Sequence, residues 1–239
     1  DINSGNIFGI PTEFRMLENY TAVFTQSEAA TYMLNSVLIT VPSVIISVAL
    51  ACLAGYALAI YRFRVAVPLF FLFVAGNFIP FQILMVPVRD MSVQTGLYDT
   101  IAGQFLFHAA FQTGFCTLFM RNFIKALPFD LIESARIEGV AEWKIFWYVI
   151  LPLVRPAIAA LAVLIFTFVW NDYFWALVLV QSDGVRPVTA GLEALKGQWL
   201  ASWQMIAAGA IIAAIPPVSM FFLMQKHFIA GLTIGATKG

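Results

Sequence analysis

Three polar residues recur at four-residue intervals in an otherwise apolar stretch of the sequence: Gln104, His108 and Gln112. This spacing places them on one face of a helix. Polar groups in hydrocarbon must be paired or must line a wet cavity. With the rings of Phe105 and Phe111, the amides could bind the faces and hydroxyls of a sugar, or they could hydrogen-bond to a neighbouring helix. Both interpretations stay open, and His108 as a proton carrier is a third.

A second polar group follows a later apolar run and contains Asn171, Asp172 and Trp175. Asn171 and Asp172 could cap a helix end or face a substrate path. Trp175 is typical of the belt of aromatic residues at a membrane surface. These three residues and the polar stripe are the substrate-path candidates.

The charged residues between 121 and 155 predict a structured loop. Asp130 followed by Glu133 fits a capping box that starts a helix, and Gly139 can take the left-handed conformation that ends one. The expected helix runs from Leu131 to about Glu138 and has a small amphipathic surface suited to a protein groove. A second helical stretch, 141–150, stops at Leu151-Pro152, so helix, glycine, helix and proline form a rigid lever.

Long apolar runs must position these residues. The chain is 61% hydrophobic and 11% charged, whereas soluble domains are roughly 45–50% apolar and about 25% charged, which makes a soluble globule a poor description. Runs without charged residues reach the length needed to cross a bilayer as a helix. They predict an all-α, polytopic transmembrane bundle with five spans: Ser36–Ile60, Val65–Val88, Ile101–Met120, Pro156 to about Trp170, and Met205–Gln225.

The distribution of basic residues predicts the orientation of these spans. Basic loops stay on the cytoplasmic side of a membrane. Segments 62–64, 121–155 and 226–239 hold nine of the 13 Lys and Arg residues, so we expect residue 1 outside and the C-terminus inside. Residues 1–34 then form an extracytoplasmic connector and residues 35–239 a transmembrane domain with a cytoplasmic loop at 121–155. The outside start predicts a further span before residue 1.

One motif in the cytoplasmic loop carries a family resemblance. Glu133-Ser134-Ala135, Gly139 and, after nine residues, Val149-Ile150-Leu151-Pro152 resemble the EAA loop of importer permeases of the ATP-binding-cassette (ABC) family. The departures from the family pattern are small: Ser134 stands where alanine is usual, and Val149 where isoleucine is usual.

Further motifs are similar to the carbohydrate-uptake branch of that family, which includes the second permease subunit of the maltose importer. One departure is Ala176, where this branch often has proline. The similar segments are Leu17-Glu18-Asn19-Tyr20, Asn35-Ser36, Trp170-Asn171-Asp172, Thr189-Ala190-Gly191-Leu192 and 231–239.

The resemblance implies a type I ABC importer fold, a location in the bacterial inner membrane, and import of a sugar or oligosaccharide by alternating access. The implied partners are a second permease, two cytoplasmic ATPase subunits that bind ATP and Mg, and an extracytoplasmic substrate-binding protein. In the family the short helix docks in a cleft of the ATPase. Glu133 would then make the polar contact, Ala135 would permit close approach and Gly139 would allow the turn, with Ser134, Leu151 and Pro152 completing the motif.

Several signatures of other functions are missing from the sequence. There is no GxxxxGK[ST] phosphate loop, no HExxH and no nucleophile elbow, so we expect no ATP site, no catalytic residues and no cofactor in this chain. Cys52 and Cys116 fall inside predicted spans and suggest neither a disulfide nor a metal site. The alternative is an ion-coupled secondary transporter, with His108 and Asp172 as the ionisable candidates. A channel or scaffold subunit is a third possibility, but such a protein would not need the structured loop at 121–155.

Overall fold

The structure is a computed structural model. It describes residues 15–25, 27–76, 78–194 and 203–236, except for the side chains of 194 and 226–236. Within these residues all regular structure is helical, as predicted: α1 Met16–Thr25, α2 Ala29–Ile60, α3 Ala66–Gly76, α4 Met85–Gln94, α5 Ile101–Lys125, α6 Asp130–Ile137, α7 Glu142–Lys144, α8 Leu151–Leu153, α9 Arg155–Trp170, α10 Phe174–Leu179, α11 Val188–Ala194 and α12 Trp203–Ala236. Short 3₁₀ helices cover Phe81–Leu84 and Asp183–Val185, and a π-helix covers Ile145–Ile150.

Helix α2 is the longest apolar segment of the first half and packs along α5. It begins at Ala29, before the predicted domain boundary at residue 35, and continues through Pro42. The two helices approach closely at Gly55, where an added Cβ would lie 2.9 Å from the backbone nitrogen of Arg121 and 2.9 Å from the Cβ of Met120. A small residue at this position therefore permits the contact of α2 with α5.

Fewer of the described helices are long and apolar enough to span a membrane than the five that the sequence predicts. Two helical stretches, Ala29–Ile60 and Trp203–Gln225, are long and apolar enough to cross a bilayer, and the number rises to four if each of two bent helix pairs is one span. Helix α5 has the length of a span but is not among these segments, because Gln104, His108 and Gln112 lower its mean hydropathy.

The predicted span Val65–Val88 is not one continuous helix. Helix α3 ends at Gly76, and the segment Phe81–Gln94 follows at an angle of 94°. Pro80 separates the two with extended backbone, at φ −57° and ψ 116°. Proline fixes φ and has no N–H to continue a helical ladder, which explains the break.

The predicted stop at Leu151-Pro152 is also wrong. The chain stays helical from Glu142 through the π-helix to Leu153, and the bend of 72° comes between Leu153 and Arg155. Pro152 is the penultimate residue of this helical segment, two residues after the π-helix ends at Ile150, and its missing N–H removes a helical hydrogen bond just before the bend. The lever predicted for this loop is thus one helical arm, Glu142–Leu153, that meets α9 at an angle.

The main hydrophobic core lies where α2, α5, the helical arm and α9 meet. Its fully buried side chains include Met120, Ile124, Ile132, Ile145 and Leu161. Ile132 belongs to α6, so the short loop helix is anchored in the same core as the long helices. At the other end of α9, the indole Nε1 of Trp170 donates to the carbonyl of Ala213, 2.9 Å away, and ties α9 to α12.

Candidate functional site

The short helix α6 presents the residues of the EAA-like motif to solvent. Ile132 faces the core and is 1% exposed, whereas Ile137 is 83% exposed. Glu133 and Ser134 are exposed and Ala135 is half-buried. The helix therefore has one anchored side and one open side, and the open side carries the carboxylate that the resemblance assigns to the ATPase contact.

Helix α6 ends as the sequence predicts but does not begin as predicted. The predicted capping box is wrong, because the helix begins one residue earlier, with Phe129 as N-cap and no side-chain capping hydrogen bond. Asp130 lies in the first helical turn, where the negative charge of a carboxylate interacts favourably with the helix dipole. The other end is as expected: Gly139 has φ 76°, a left-handed conformation that glycine adopts without the usual strain.

An ion pair spans the turn at Gly139. Arg136, near the end of α6, donates from Nε to Oε1 of Glu142 at 2.6 Å and from Nη2 to Oε2 at 3.3 Å. Such bidentate pairing fixes the relative orientation of the two groups. The hydrogen bond to Glu142 raises the pKa of the Arg136 guanidinium above its ordinary value. Helix α6 is thereby held to the start of the helical arm.

Two tyrosines extend this ion pair to the end of α2. Tyr56 and Tyr61 both donate their hydroxyls to Oε2 of Glu142, at 3.1 and 2.8 Å, and the Arg136 guanidinium lies 6.0 Å from the centre of the Tyr61 ring. We call Arg136, Glu142, Tyr56 and Tyr61 the hinge cluster. The hinge cluster was not predicted from the sequence, although opposite charges on either side of a helix-ending glycine were a usable signal.

The other motif residues lie on the arm and in the turn. Leu151 is half-buried and packs against the main core, Pro152 is half-buried in α8, and Gly139 has open space around its Cα. Trp143 and Trp147 are exposed, while Phe146 and Ile150 are buried, so the predicted aromatic face of this segment is split between solvent and core.

The polar stripe of α5 divides into members with different surroundings. Gln104 is 2% exposed, and its amide donates to the carbonyl of Val185 at 3.0 Å. His108 is buried with its Nε2 3.7 Å from Oδ2 of Asp172. Gln112 is half-buried. The structure thus brings His108 and Asp172 together, whereas Gln104 pairs with the backbone of the segment between α10 and α11.

The side chain of Asp172 also caps the short helix α10, whose first residue is Phe174. Its Oδ2 accepts hydrogen bonds from the backbone N–H groups of Trp175 and Ala176, at 3.1 and 3.2 Å. The N–H of Ala176 is one that a proline could not supply, so the departure from the family pattern at this position has a structural use here. Asn171 ends α9 and donates its amide to the carbonyl of Thr167 at 2.9 Å.

Trp175 lies inside the chain instead of in a membrane-surface belt. It is 4% exposed, with its ring centroid 4.2 Å from that of Phe107, 6.0 Å from that of Phe111 and 5.3 Å from that of Phe174. The interpretation of Trp175 as an interfacial residue is therefore wrong, because the aromatic side chains of α5 and α10 pack around it.

The segment between α10 and α11 is tied to the ends of α2 and α5. Asn35 donates to the carbonyls of Gly184 and Arg186, at 3.0 and 2.9 Å, and Ser36 accepts from the N–H of Val188 at 2.8 Å. The Asn35-Ser36 motif of the sequence therefore fixes this segment.

Asp99, which has φ 57°, makes the second tie. It accepts hydrogen bonds from the N–H groups of Gln181 and Ser182, at 2.8 and 2.9 Å, and from the Ser182 hydroxyl. Partial burial alone would raise the pKa of Asp99, but these hydrogen bonds and the Arg186 charge outweigh it and hold the pKa below its ordinary value.

The described residues contain no group of three or more His, Cys, Asp or Glu side chains placed to hold a metal ion. The fold and the site define a helical membrane protein whose short loop helix is buried on one side and exposed on the other. The chain belongs to the family of binding-protein-dependent transport system inner membrane components, whose model matches residues 27–234.

Individual relatives agree with this assignment. The chain is 39% identical over 235 residues to the osmoprotective compounds uptake permease protein GgtD of Synechocystis sp., covering 97% of this chain and 79% of the relative. It is 34% identical over 224 residues to the arabinooligosaccharides transport system permease protein AraQ of Halalkalibacterium halodurans, covering 93% and 80%.

A solved structure shows the same fold. A chain of a bacterial ABC transporter involved in the import of alginate superposes with a TM-score of 0.79 at 24% identity, over 95% of this chain and 84% of that chain. The fold is that of type I ABC importers, and the chain is the permease component, not the ATPase. These comparisons give no support to an ion-coupled secondary transporter.

Proposed function

We propose that this permease imports a sugar or oligosaccharide, and that α6 docks on an ATPase subunit and transmits its movement to the membrane helices. The observation that carries the proposal is the combination of an exposed Glu133 with a buried Ile132 on the same short helix. A helix anchored on one side and open on the other can bind in a groove of a partner and still move the rest of the chain.

The path of force follows the contacts of α6. The hinge cluster joins Arg136 to Glu142 at the start of the helical arm, and Tyr56 and Tyr61 join the same carboxylate to α2. The arm meets α9 at 72°, and α9 is tied to α12 by the Trp170 indole. A push on α6 would therefore reach α2, α9 and α12 through packed side chains, as rigid-body transitions require.

The substrate class rests on the printed functions of relatives. Besides the arabinooligosaccharide permease, they include a melibiose/raffinose/stachyose import permease of Bacillus subtilis, 30% identical over 240 residues, and a lactose permease of Rhizobium radiobacter, 28% identical over 223 residues. A carbohydrate is the substrate that most of these names share.

The substrate path is proposed to run along the α5 side that carries Gln112 and Phe111. Gln112 is half-buried and Phe111 is 40% exposed, so both have surface left to meet a solute. Gln104 and His108, which are buried, and Asp172, which is half-buried, would lie behind this path, with Asn171 and Trp175 at its end. Amide and ring together suit hydroxyls and sugar faces.

The assembly is proposed to contain this chain, a second permease, two ATPase subunits that bind ATP and Mg, and an extracytoplasmic binding protein. The loop 121–155 would face the cytoplasm in the domain 35–239, with residue 1 outside and the C-terminus inside. The support is the concentration of basic residues in this loop and near residues 62–64.

The docking proposal is tested by Glu133→Arg in the complete importer. The charge reversal should abolish uptake and the coupling of ATP hydrolysis to substrate, while the subunit still inserts and the second permease still copurifies. Glu18→Arg is the matched control, because Glu18 is exposed on α1 and lies on the opposite predicted side. Normal uptake by the Glu133 variant would refute the docking role.

The energy source is tested separately by uptake in cells. Depletion of ATP should stop transport, and an uncoupler that removes ion gradients while ATP is maintained should leave it unchanged. Loss of uptake with the uncoupler alone would favour the ion-coupled alternative.

A further inference from the structure

A large cavity opens at the end of the bundle that carries α6, the proposed docking helix. Its volume is about 1150 Å³, and it lies between the end of α2, the start of α3 and the end of α5. The lining is of two kinds: an apolar wall and a group of basic side chains. The basic members are Arg62, Arg121, Lys125 and Arg136, and none of the lining residues that the structure describes is acidic.

The four basic residues are not equally available to a ligand. Arg136 is paired with Glu142, and the Arg121 guanidinium lies 3.9 Å from the centre of the Phe70 ring. Arg62 and Lys125 are exposed, and neither has an ion-pair partner among the described residues. Two positive charges in the cavity therefore lack a counter-charge from the part of the chain that the structure describes.

The apolar wall of the cavity continues onto an exposed hydrophobic surface. Leu58, Ile60 and Phe70 line the inside, and the nearby side chains of Val67 and Phe71, which also line it, are 62% and 61% exposed. A small soluble anion would use only the charges of such a site. A molecule with an anionic head and hydrocarbon chains would use both the charges and the apolar wall.

We infer that this cavity binds the headgroup of an anionic phospholipid of the cytoplasmic leaflet, with Arg62 and Lys125 on its phosphate and its acyl chains against α3. The inference rests on the proposed orientation of the permease, which places the ends of α2 and α5 at the cytoplasmic surface. Basic side chains at that surface attract anionic lipids, and guanidinium groups suit phosphate oxygens. Phe129 and Arg136, at the two ends of α6, border the same cavity, so a bound lipid would lie beside the docking helix.

The inference is tested on the purified importer complex by native mass spectrometry with phosphatidylglycerol or phosphatidylcholine of identical acyl chains. The wild type should retain phosphatidylglycerol in preference to phosphatidylcholine. The double variant Arg62→Gln/Lys125→Gln should bind phosphatidylglycerol roughly thirtyfold more weakly, from the usual contribution of two basic residues at an anionic membrane surface. Arg62→Lys/Lys125→Arg should retain it, since the charges are kept.

The matched control is Arg64→Gln/Lys144→Gln, which removes the same charge from two exposed residues of the same predicted side that do not line the cavity. It should bind lipid as the wild type does. Equal loss in the control and the cavity variant would show a general surface-charge effect and overturn the inference. Unchanged binding in the cavity variant, or equal retention of phosphatidylcholine, would overturn it as well.

Two further measurements distinguish a lipid from other possible occupants of the cavity. Displacement of phosphatidylglycerol by an equal concentration of inorganic phosphate would assign the cavity to a soluble anion. A lower yield of copurified ATPase in the cavity variant, with lipid retention unchanged, would assign the cavity to the ATPase subunit. Either result overturns the lipid inference. If the double variant does not assemble, Arg62→Gln and Lys125→Gln are measured singly, and each should lose part of the lipid.

Failure of this inference is distinguishable from failure of the proposed function. Normal ATP-dependent uptake without selective lipid retention would refute only the lipid site. A wild-type permease that retains phosphatidylglycerol but never copurifies with an ATPase would refute only the proposed coupling.

Discussion

The Arg136 guanidinium holds the Glu142 carboxylate across the left-handed turn at Gly139, with Nε and Oε1 2.6 Å apart. This pair is a direct polar link between α6 and the helical arm Glu142–Leu153. It is also the centre of the hinge cluster, because Tyr56 and Tyr61 donate to the same carboxylate. Its importance should therefore be greater for the transmission of movement than for stability.

The first prediction concerns this link. Glu142→Gln should lower uptake several-fold and weaken the stimulation of ATP hydrolysis by substrate. The midpoint of thermal unfolding should change little, since a pair with 32% and 43% exposed side chains contributes only about 0–1 kcal/mol. Uptake, ATP hydrolysis and thermal unfolding are measured on the same preparations of the complex.

The exchanged pair Arg136→Glu/Glu142→Arg is the control for a specific interaction, and it should recover part of the uptake that each single reversal loses. Equal loss of uptake and of thermal stability in Glu142→Gln would contradict the prediction, because the pair would then be structural only.

The turn itself gives the second prediction. Gly139→Ala should destabilise the loop by about 1–2 kcal/mol, the usual cost of a left-handed conformation for a residue with a Cβ. Nothing lies within 4 Å of the position that the added methyl would occupy, so steric clash adds nothing. Gly139→Asn should be milder, because asparagine tolerates this conformation better. The readout is limited proteolysis of the loop in the intact complex.

Gly184→Ala is the matched control, since Gly184 also has open space around it but no left-handed φ. It should leave the proteolysis pattern of the loop unchanged. Equal protection of the loop in wild type and Gly139→Ala would show that φ at this position is not a constraint in solution.

The contact of α2 with α5 gives the third prediction. Gly55→Ala would place a methyl carbon 2.9 Å from backbone and side-chain atoms of α5, and backbone cannot move aside as a flexible side chain can. We expect a loss of about 1–3 kcal/mol, the common cost of overpacking, measured as a lower midpoint of thermal unfolding in detergent. Gly76→Ala, with nothing within 4 Å, should be neutral, and an equal effect of both substitutions would contradict the close approach.

Helix α6 was predictable because its signals are local. Gly139 and the apolar residues around it lie within one short segment, and the helix ends where the glycine indicates. The start was missed by one residue, because Phe129 caps the helix without the side-chain hydrogen bond that the Asp130 pattern suggested.

The hinge cluster and the partners of the polar stripe were not predictable in this way. Tyr56 reaches Glu142 across 86 positions of the chain, and Gln104 reaches Val185 across 81. Spacing showed that the stripe shares one helix face, but only the packing of the helices decides which member meets a carboxylate and which meets a backbone carbonyl. For the same reason Trp175 was placed at a membrane surface, although the aromatic side chains of α5 and α10 cover it.

Asp172 provides the last prediction, because its role as a helix cap can be separated from a role in proton coupling. The carboxylate accepts from the N–H groups of Trp175 and Ala176 and lies 3.7 Å from His108. Asp172→Asn keeps an oxygen acceptor and removes the titratable group, so it should retain most of the uptake. Asp172→Ala removes the cap and should cost about 0.5–2 kcal/mol of stability together with most of the uptake.

Uptake by each variant is compared with its midpoint of thermal unfolding, and His108→Gln, which keeps a polar side chain, should follow the asparagine variant. Loss of uptake in Asp172→Asn at wild-type stability would contradict the structural role and would indicate that Asp172 and His108 exchange a proton during transport.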